Sequence, residues 1–183
     1  RAQVVGGGTS AQEAENVTEG DGELNEDPDR RQARDAASSH GRTALHDAAR
    51  QGHVACCEVL LANERFERVD AVDLKDRRTA LHWAAGKGHV DVCEVLLSSE
   101  RFTMVNAANQ KDKRTALHWA TAKSHAKVTE LLLASPRFTA ADEVDNDGQT
   151  ALHVAASHGH IACCRTLLSS ERFTMCGALT LSG

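Results

Sequence analysis

The chain has 183 residues and a formal net charge of −5. Its longest apolar run is a few residues around Val59-Leu60-Leu61, far short of the ~18 that a membrane-spanning helix needs, so no membrane partner is expected. The whole net charge falls in residues 1–38, which carry four basic and nine acidic side chains; residues 39–183 carry seventeen of each sign, and that balance argues against a nucleic-acid partner.

The chain opens on Arg1 and reads as a fragment or a processed product. Residues 1–38 are rich in Gly, Glu and Asp and poor in large apolar side chains, so they lack the burial that would offset the entropy of ordering; a disordered acidic segment is expected. Gly6-Gly7-Gly8 lacks the Lys-Ser/Thr ending of a phosphate loop, and Asn16-Val17-Thr18 is a chance match to a glycosylation sequon in a chain with no secretory signal.

From residue 39 the sequence repeats itself. Thr-Ala-Leu-His begins at Thr43, Thr79, Thr115 and Thr150, with spacings of 36, 36 and 35. Three landmarks follow in every copy: Gly52-His53, Gly88-His89, Ser124-His125 and Gly159-His160; a Leu pair ending at Leu61, Leu97, Leu133 and Leu168; and Arg-Phe at 65–66, 101–102, 137–138 and 172–173. The units span 39–77, 78–113, 114–148 and 149–176, the last degenerating into a tail over 177–183.

Each unit predicts two short helices. Thr43 can cap the first, whose Leu45, Ala48 and Ala49 form one narrow apolar face, and Gly52 ends it. The second runs from about Val54 to Ala62. Helices this short hold only when stacked copies bury a continuous core. Ser124 replaces glycine in the third inter-helix turn, which predicts strain there. The fourth unit keeps apolar Ile161, Leu167 and Leu168 with nothing polar after them, so either the array is cut short or the tail folds over its end.

Thr-Ala-Leu-His-x-Ala-Ala-x-x-Gly-His followed by a Leu pair resembles the ankyrin repeat, with Ala where that family usually has Pro, over about residues 38–176. The resemblance implies an all-α, ankyrin-type helix-turn-helix solenoid with short inter-repeat hairpins, entered by strand-like segments at Val69-Asp70-Ala71 and Val105-Asn106-Ala107. It also implies that His46, His82, His118 and His153 are structural, each bonding the threonine three residues earlier (Thr43, Thr79, Thr115, Thr150) and the backbone of the next unit.

Chemistry-bearing patterns point away from catalysis. His53/Cys57, His89/Cys93 and His160/Cys164 have the i, i+4 spacing of a zinc half-site, but the third copy has His125 and Thr129, so the column reads as packing; no metal and no cofactor are expected. Cys56 and Cys163 share a column with Val92 and Val128, again packing. Adjacent cysteine pairs without C-x-x-C fit reduced thiols, and an intracellular, cytoplasmic or nuclear location is expected. Phe66, Phe102, Phe138 and Phe173 read as a buried plug, and the arginine before each is placed to bond the last carbonyls of its own second helix.

One array of residues remains for binding. Lys75, Arg77 and Arg78 in one hairpin align with Lys111, Lys113 and Arg114 in the next, and the following tip is acidic, with Asp142, Glu143, Asp145 and Asp147. The first helices end in Arg50-Gln51, Gly86-Lys87, Ala122-Lys123 and Ser157-His158, which brings Lys87 and Lys123 into the same strip, with Trp83 and Trp119 as apolar anchors. The expected function is a non-catalytic scaffold or adaptor that binds a protein partner carrying an acidic segment, with residues 1–38 as an intramolecular competitor. The alternative is the recognition segment of a larger enzyme of kinase, ubiquitin-ligase or acyltransferase type. Composition leaves the oligomeric state open.

Overall fold

The Thr-Ala-Leu-His motif starts a helix in every unit because its threonine sits on extended backbone just ahead of the first turn. A computed structural model describes residue 38 and residues 40–177, and the disordered leader and the end of the tail expected from sequence lie outside the described residues. Eight α-helices are present among the described residues, with no strand. They are α1 (Ala44–Gln51), α2 (Val54–Ala62), α3 (Ala80–Lys87), α4 (Val90–Ser98), α5 (Ala116–Ala122), α6 (Ala126–Ala134), α7 (Ala151–Ser157) and α8 (Ile161–Ser169).

The odd-numbered helices pack on one another in one layer, the even-numbered ones in a second, and each odd helix packs on the even helix that follows it. The fold is the all-α solenoid of helix pairs that the repeat predicts. Its core is the repeated set: Leu45, Leu81 and Leu117 with the small Ala48, Ala84 and Ala120, and on the second helices Leu96, Leu132 and Leu167, all buried. The alanines leave no side-chain bulk between neighbouring first helices. Phe66, Phe102, Phe138 and Phe173 plug the base of each unit at no more than 5 % exposure.

The segments expected to enter the hairpins as strands do not form them. Met104–Asn106 is a single 3-10 turn, with Val105 buried as an anchor, and Val69 is likewise buried. In these segments and the equivalent place of the third unit, Asp70, Asn106 and Asp142 reach across to the next unit. Asp70 accepts from the amides of Thr103 (2.8 Å) and Met104 (3.2 Å), and Asn106 accepts from those of Thr139 (2.7 Å) and Ala140 (3.1 Å). Asp142 does the same for Thr174 and Met175 at 2.8 and 3.1 Å.

The arginines also act between units rather than within one. Arg101 donates to the carbonyls of Leu61 (2.8 Å), Asn63 (2.7 Å) and Phe66 (2.6 Å), at the end of the preceding second helix. Arg137 repeats this on Leu97, Ser99 and Phe102, and Arg172 on Leu133, Ser135 and Phe138. The guanidinium fork is rigid and rich in donors, so one side chain bridges three carbonyls of the preceding unit: one from the last turn of its second helix, one from the C-cap and one from the loop beyond. The residues that lengthen each repeat, after the second helix, are the ones that carry this staple.

The two cysteine columns part at the ends of the stack. Val92, Val128 and Cys163 are fully buried against the preceding unit, as the 3.8 Å contact of the Thr129 hydroxyl with Cys163 Sγ illustrates. Cys56 was expected to pack in the same column, but it is exposed because it lies on the outer face of the first pair. At the other end Ile161 and Leu168 are 68 % and 58 % exposed, where their counterparts are covered by a following pair.

Candidate protein-interaction surface

The histidines are committed to the frame. Thr43, Thr79, Thr115 and Thr150 each donate their backbone N–H to Nδ1 of the histidine three residues on, at 3.2–3.3 Å. Each threonine hydroxyl lies 2.8–3.0 Å from the same nitrogen. Nδ1 therefore carries a lone pair, and the proton sits on Nε2. From there His46, His82 and His118 donate to the carbonyls of Arg78, Arg114 and Gln149 in the next hairpin, at 3.0, 3.0 and 3.1 Å. Burial disfavours the imidazolium and, against the helping carbonyl of Arg114, lowers His82 to about 4; burial also lowers His46 and His118.

The second histidine column faces away from its cysteines. Nε2 of His89, His125 and His160 points at the carbonyls of Arg50, Gly86 and Ala122, at 3.1, 3.3 and 3.3 Å. Burial pushes the thiols of Cys57 and Cys93 up to about 11 and about 12, which makes them poor nucleophiles and poor metal ligands. Among the described residues no group of three or more His, Cys, Asp or Glu is placed to hold a metal ion.

The strip of cations lies on the hairpins and the ends of the first helices. Lys75, Arg77, Lys87, Lys111, Lys113 and Lys123 are all exposed. Arg78 and Arg114 are not free tip charges. Arg78 is held on its own hairpin by Asp73 (3.1 Å) and Asp76 (3.0 Å), and its guanidinium lies 3.8 Å from the Trp83 ring centre. Arg114 reaches forward to Asp145, 3.0 Å away. Trp83 and Trp119 are half-buried and share the lining of a groove of about 180 Å³ with Arg78, His82, Lys87 and Lys123.

The acidic tip expected after the strip is largely consumed by structure. Asp145 is 5 % exposed, pairs with Arg114, and accepts from the amides of Asp147 (3.0 Å) and Gln149 (2.9 Å). Asp142 is tied to Thr174 and Met175. Only Glu143 and Asp147 remain as exposed charges there. Sequence reading could not separate the two kinds of carboxylate, because their partners stand a whole unit away in the chain.

Backbone geometry adds a feature of its own. Arg77 and Lys113 sit at φ +59° and +57°, in left-handed turns. Gly41 and Gly148 hold the matching places, two residues before Thr43 and Thr150, at φ +70° and +69°. Ser124 is the third non-glycine residue of this kind, at φ +62°, where the other inter-helix turns use Gly52, Gly88 and Gly159.

No curated protein matches the chain. A family model described as ankyrin repeats in three copies matches residues 23–107 and 100–175. With the stacked helix pairs and the Thr–His frame, that match establishes that the chain belongs to the ankyrin repeat family, and that its array is a protein–protein interaction module.

Proposed function

We propose that the array is a non-catalytic scaffold or adaptor that binds an acidic segment of another protein along its hairpin tips and the ends of its first helices. The observation that carries the reading is the set of six exposed cations, Lys75, Arg77, Lys87, Lys111, Lys113 and Lys123, beside a groove walled by two half-buried tryptophans. Carboxylates of a partner would meet unneutralised positive charge there, and the indoles would supply desolvated contact area. Residues 1–38, with nine acidic side chains, are an intramolecular competitor in this reading. Free thiols at all six cysteines support a reducing compartment, in the cytoplasm or nucleus. Among the described residues no helix is long and apolar enough to cross a membrane.

The test is charge reversal. Lys75, Arg77, Lys111 and Lys113 changed together to Glu should abolish capture of the partner and leave the melting temperature nearly unchanged, because solvated charges contribute little to stability. Capture by the parent chain should weaken as salt rises. Unaltered capture by the quadruple variant, with loss on changing Glu94, Lys127 and Glu130 of the second-helix layer, would place the binding face on the other side.

A further inference from the structure

The six cations belong to the turns ahead of α3 and α5 and to the C-terminal ends of those two helices. The first unit has Gln51 where the second and third have Lys87 and Lys123, and the fourth has His158. The same holds at the turns, where Gly41 and Gly148 flank Arg77 and Lys113. A left-handed backbone is open to glycine and costs energy for any residue with a Cβ. The turns ahead of α3 and α5 therefore hold cations on strained backbone in the place where the turns ahead of α1 and α7 have glycine. Strain kept at a surface position, with a charged side chain that makes no ion pair among the described residues, points to a ligand outside the chain.

The tips are also held in register. Gln110 N–H donates to the carbonyl of Asp76 at 3.1 Å, and Asn146 N–H to that of Asp112 at 2.9 Å, so each turn is tied directly to the next. Helices packed side by side lie about 8–10 Å apart. A polyproline II segment advances about 3.1 Å per residue with three residues per turn, so residues three apart lie about 9 Å apart on one face and reach successive units.

We propose that the acidic segment is a polyproline II peptide with two carboxylates three residues apart, Asp/Glu-x-x-Asp/Glu, running across the turns ahead of α3 and α5. Lys75, Arg77 and Lys87 meet one carboxylate; Lys111, Lys113 and Lys123 meet the other. The inference rests on the binding face proposed above and adds the spacing and conformation of what it binds.

Trp83 and Trp119 are the two tryptophans of the chain and both line the groove, so intrinsic fluorescence of the full chain reports binding directly. Three synthetic peptides of equal composition suffice, with two glutamates adjacent, three apart or six apart, together with an alanine control. The three-apart peptide should bind about tenfold more tightly than the other two. Arg77→Gly combined with Lys113→Gly should raise the melting temperature and erase that preference. Equal binding of all three acidic peptides overturns the spacing and leaves the acidic-binding face standing. Binding by none of them overturns the face itself. A glycine double variant that keeps the preference overturns the role of the left-handed cations.

Discussion

Asp73 accepts the indole N–H of Trp83 at 3.1 Å, while the matching indole N–H of Trp119, thirty-six residues later, is buried with no acceptor among the described residues. The cause is one substitution in the repeat. Asn109 stands in the place of Asp73 and keeps the bond to the following arginine's amide, from Arg114 at 2.7 Å. Its NH2 then occupies the place of Asp73's second oxygen, and Asn109 Nδ2 is itself buried without a partner. Two donors thus take the position of one donor and one acceptor. Asn109→Asp should stabilise the protein by about 1–2 kcal/mol, and Asp73→Asn should destabilise it by a comparable amount, both read from urea unfolding. Opposite signs at two equivalent positions are the check; a loss in both variants would refute this account of the mismatch.

The arginine staples should be among the costliest polar side chains to remove. Arg137→Met keeps much of the aliphatic stem but strands the carbonyls of Leu97 and Phe102, while that of Ser99 keeps only the Phe102 N–H. A loss of about 2–4 kcal/mol is expected, with little recovery in Arg137→Lys, since an ammonium cannot span three carbonyls. Thermal unfolding of the two variants side by side tests this; lysine behaving like arginine would show that charge alone matters.

Stability should fall in two separate pH windows. His82 has its pKa lowered to about 4, mainly by burial, against an ordinary value of 6.5. The unfolded chain therefore binds the extra proton first, and the histidine contribution is complete above pH 6.5 and drains away as pH falls toward 4. Burial works to raise Asp73, but the amides of Asp76 and Arg78 and the Arg78 guanidinium outweigh it and hold its carboxyl below the usual range. Asp142 follows the same pattern through Thr174 and Met175, so the carboxylate contribution is lost only below the ordinary value of 3.8. Melting temperature followed from pH 7 to pH 3 should show the first decline flatten in His82→Gln, at the expense of lower stability at neutral pH.

Left-handed positions make a matched pair of tests. Ser124→Gly should stabilise by up to about 1 kcal/mol, relief of backbone strain being partly offset by the freer unfolded chain. Gly88→Ala should cost more than backbone strain alone, because its new Cβ would lie 2.5 Å from Nδ1 of His125. Gly159→Ala meets nothing within 4 Å and should incur only the strain. Chemical denaturation of the three variants should rank them Ser124→Gly, Gly159→Ala, Gly88→Ala from most to least stable.

Helix placement was legible in the sequence because it depends on local signals. Four threonines ahead of an apolar face and a turn residue before each second helix mark the elements, and α2 runs from Val54 to Ala62 as the pattern predicts. What the sequence hid depends on which neighbour a column touches. A column such as Arg101, Arg137 and Arg172 looks the same whether it serves its own helix or the preceding one. Cys56 looks like Val92, yet no preceding pair among the described residues covers it, and it is exposed. Among the candidate binding residues, charge type could be read directly, but pairing could not. Arg78 and Arg114 read like Lys75 and Lys111 in the chain, and only the fold shows them anchored to Asp73, Asp76 and Asp145.

The arginine staples all point one way, from a unit back to the one before it. A ribosome releases the chain in that same direction. Each newly emerged unit therefore brings the guanidinium that closes its predecessor, and no unit has to wait for one still more distant. During synthesis only the youngest finished unit leaves its second-helix carbonyls open, so the growing array carries one unsealed edge at a time, always at the end nearest the exit tunnel.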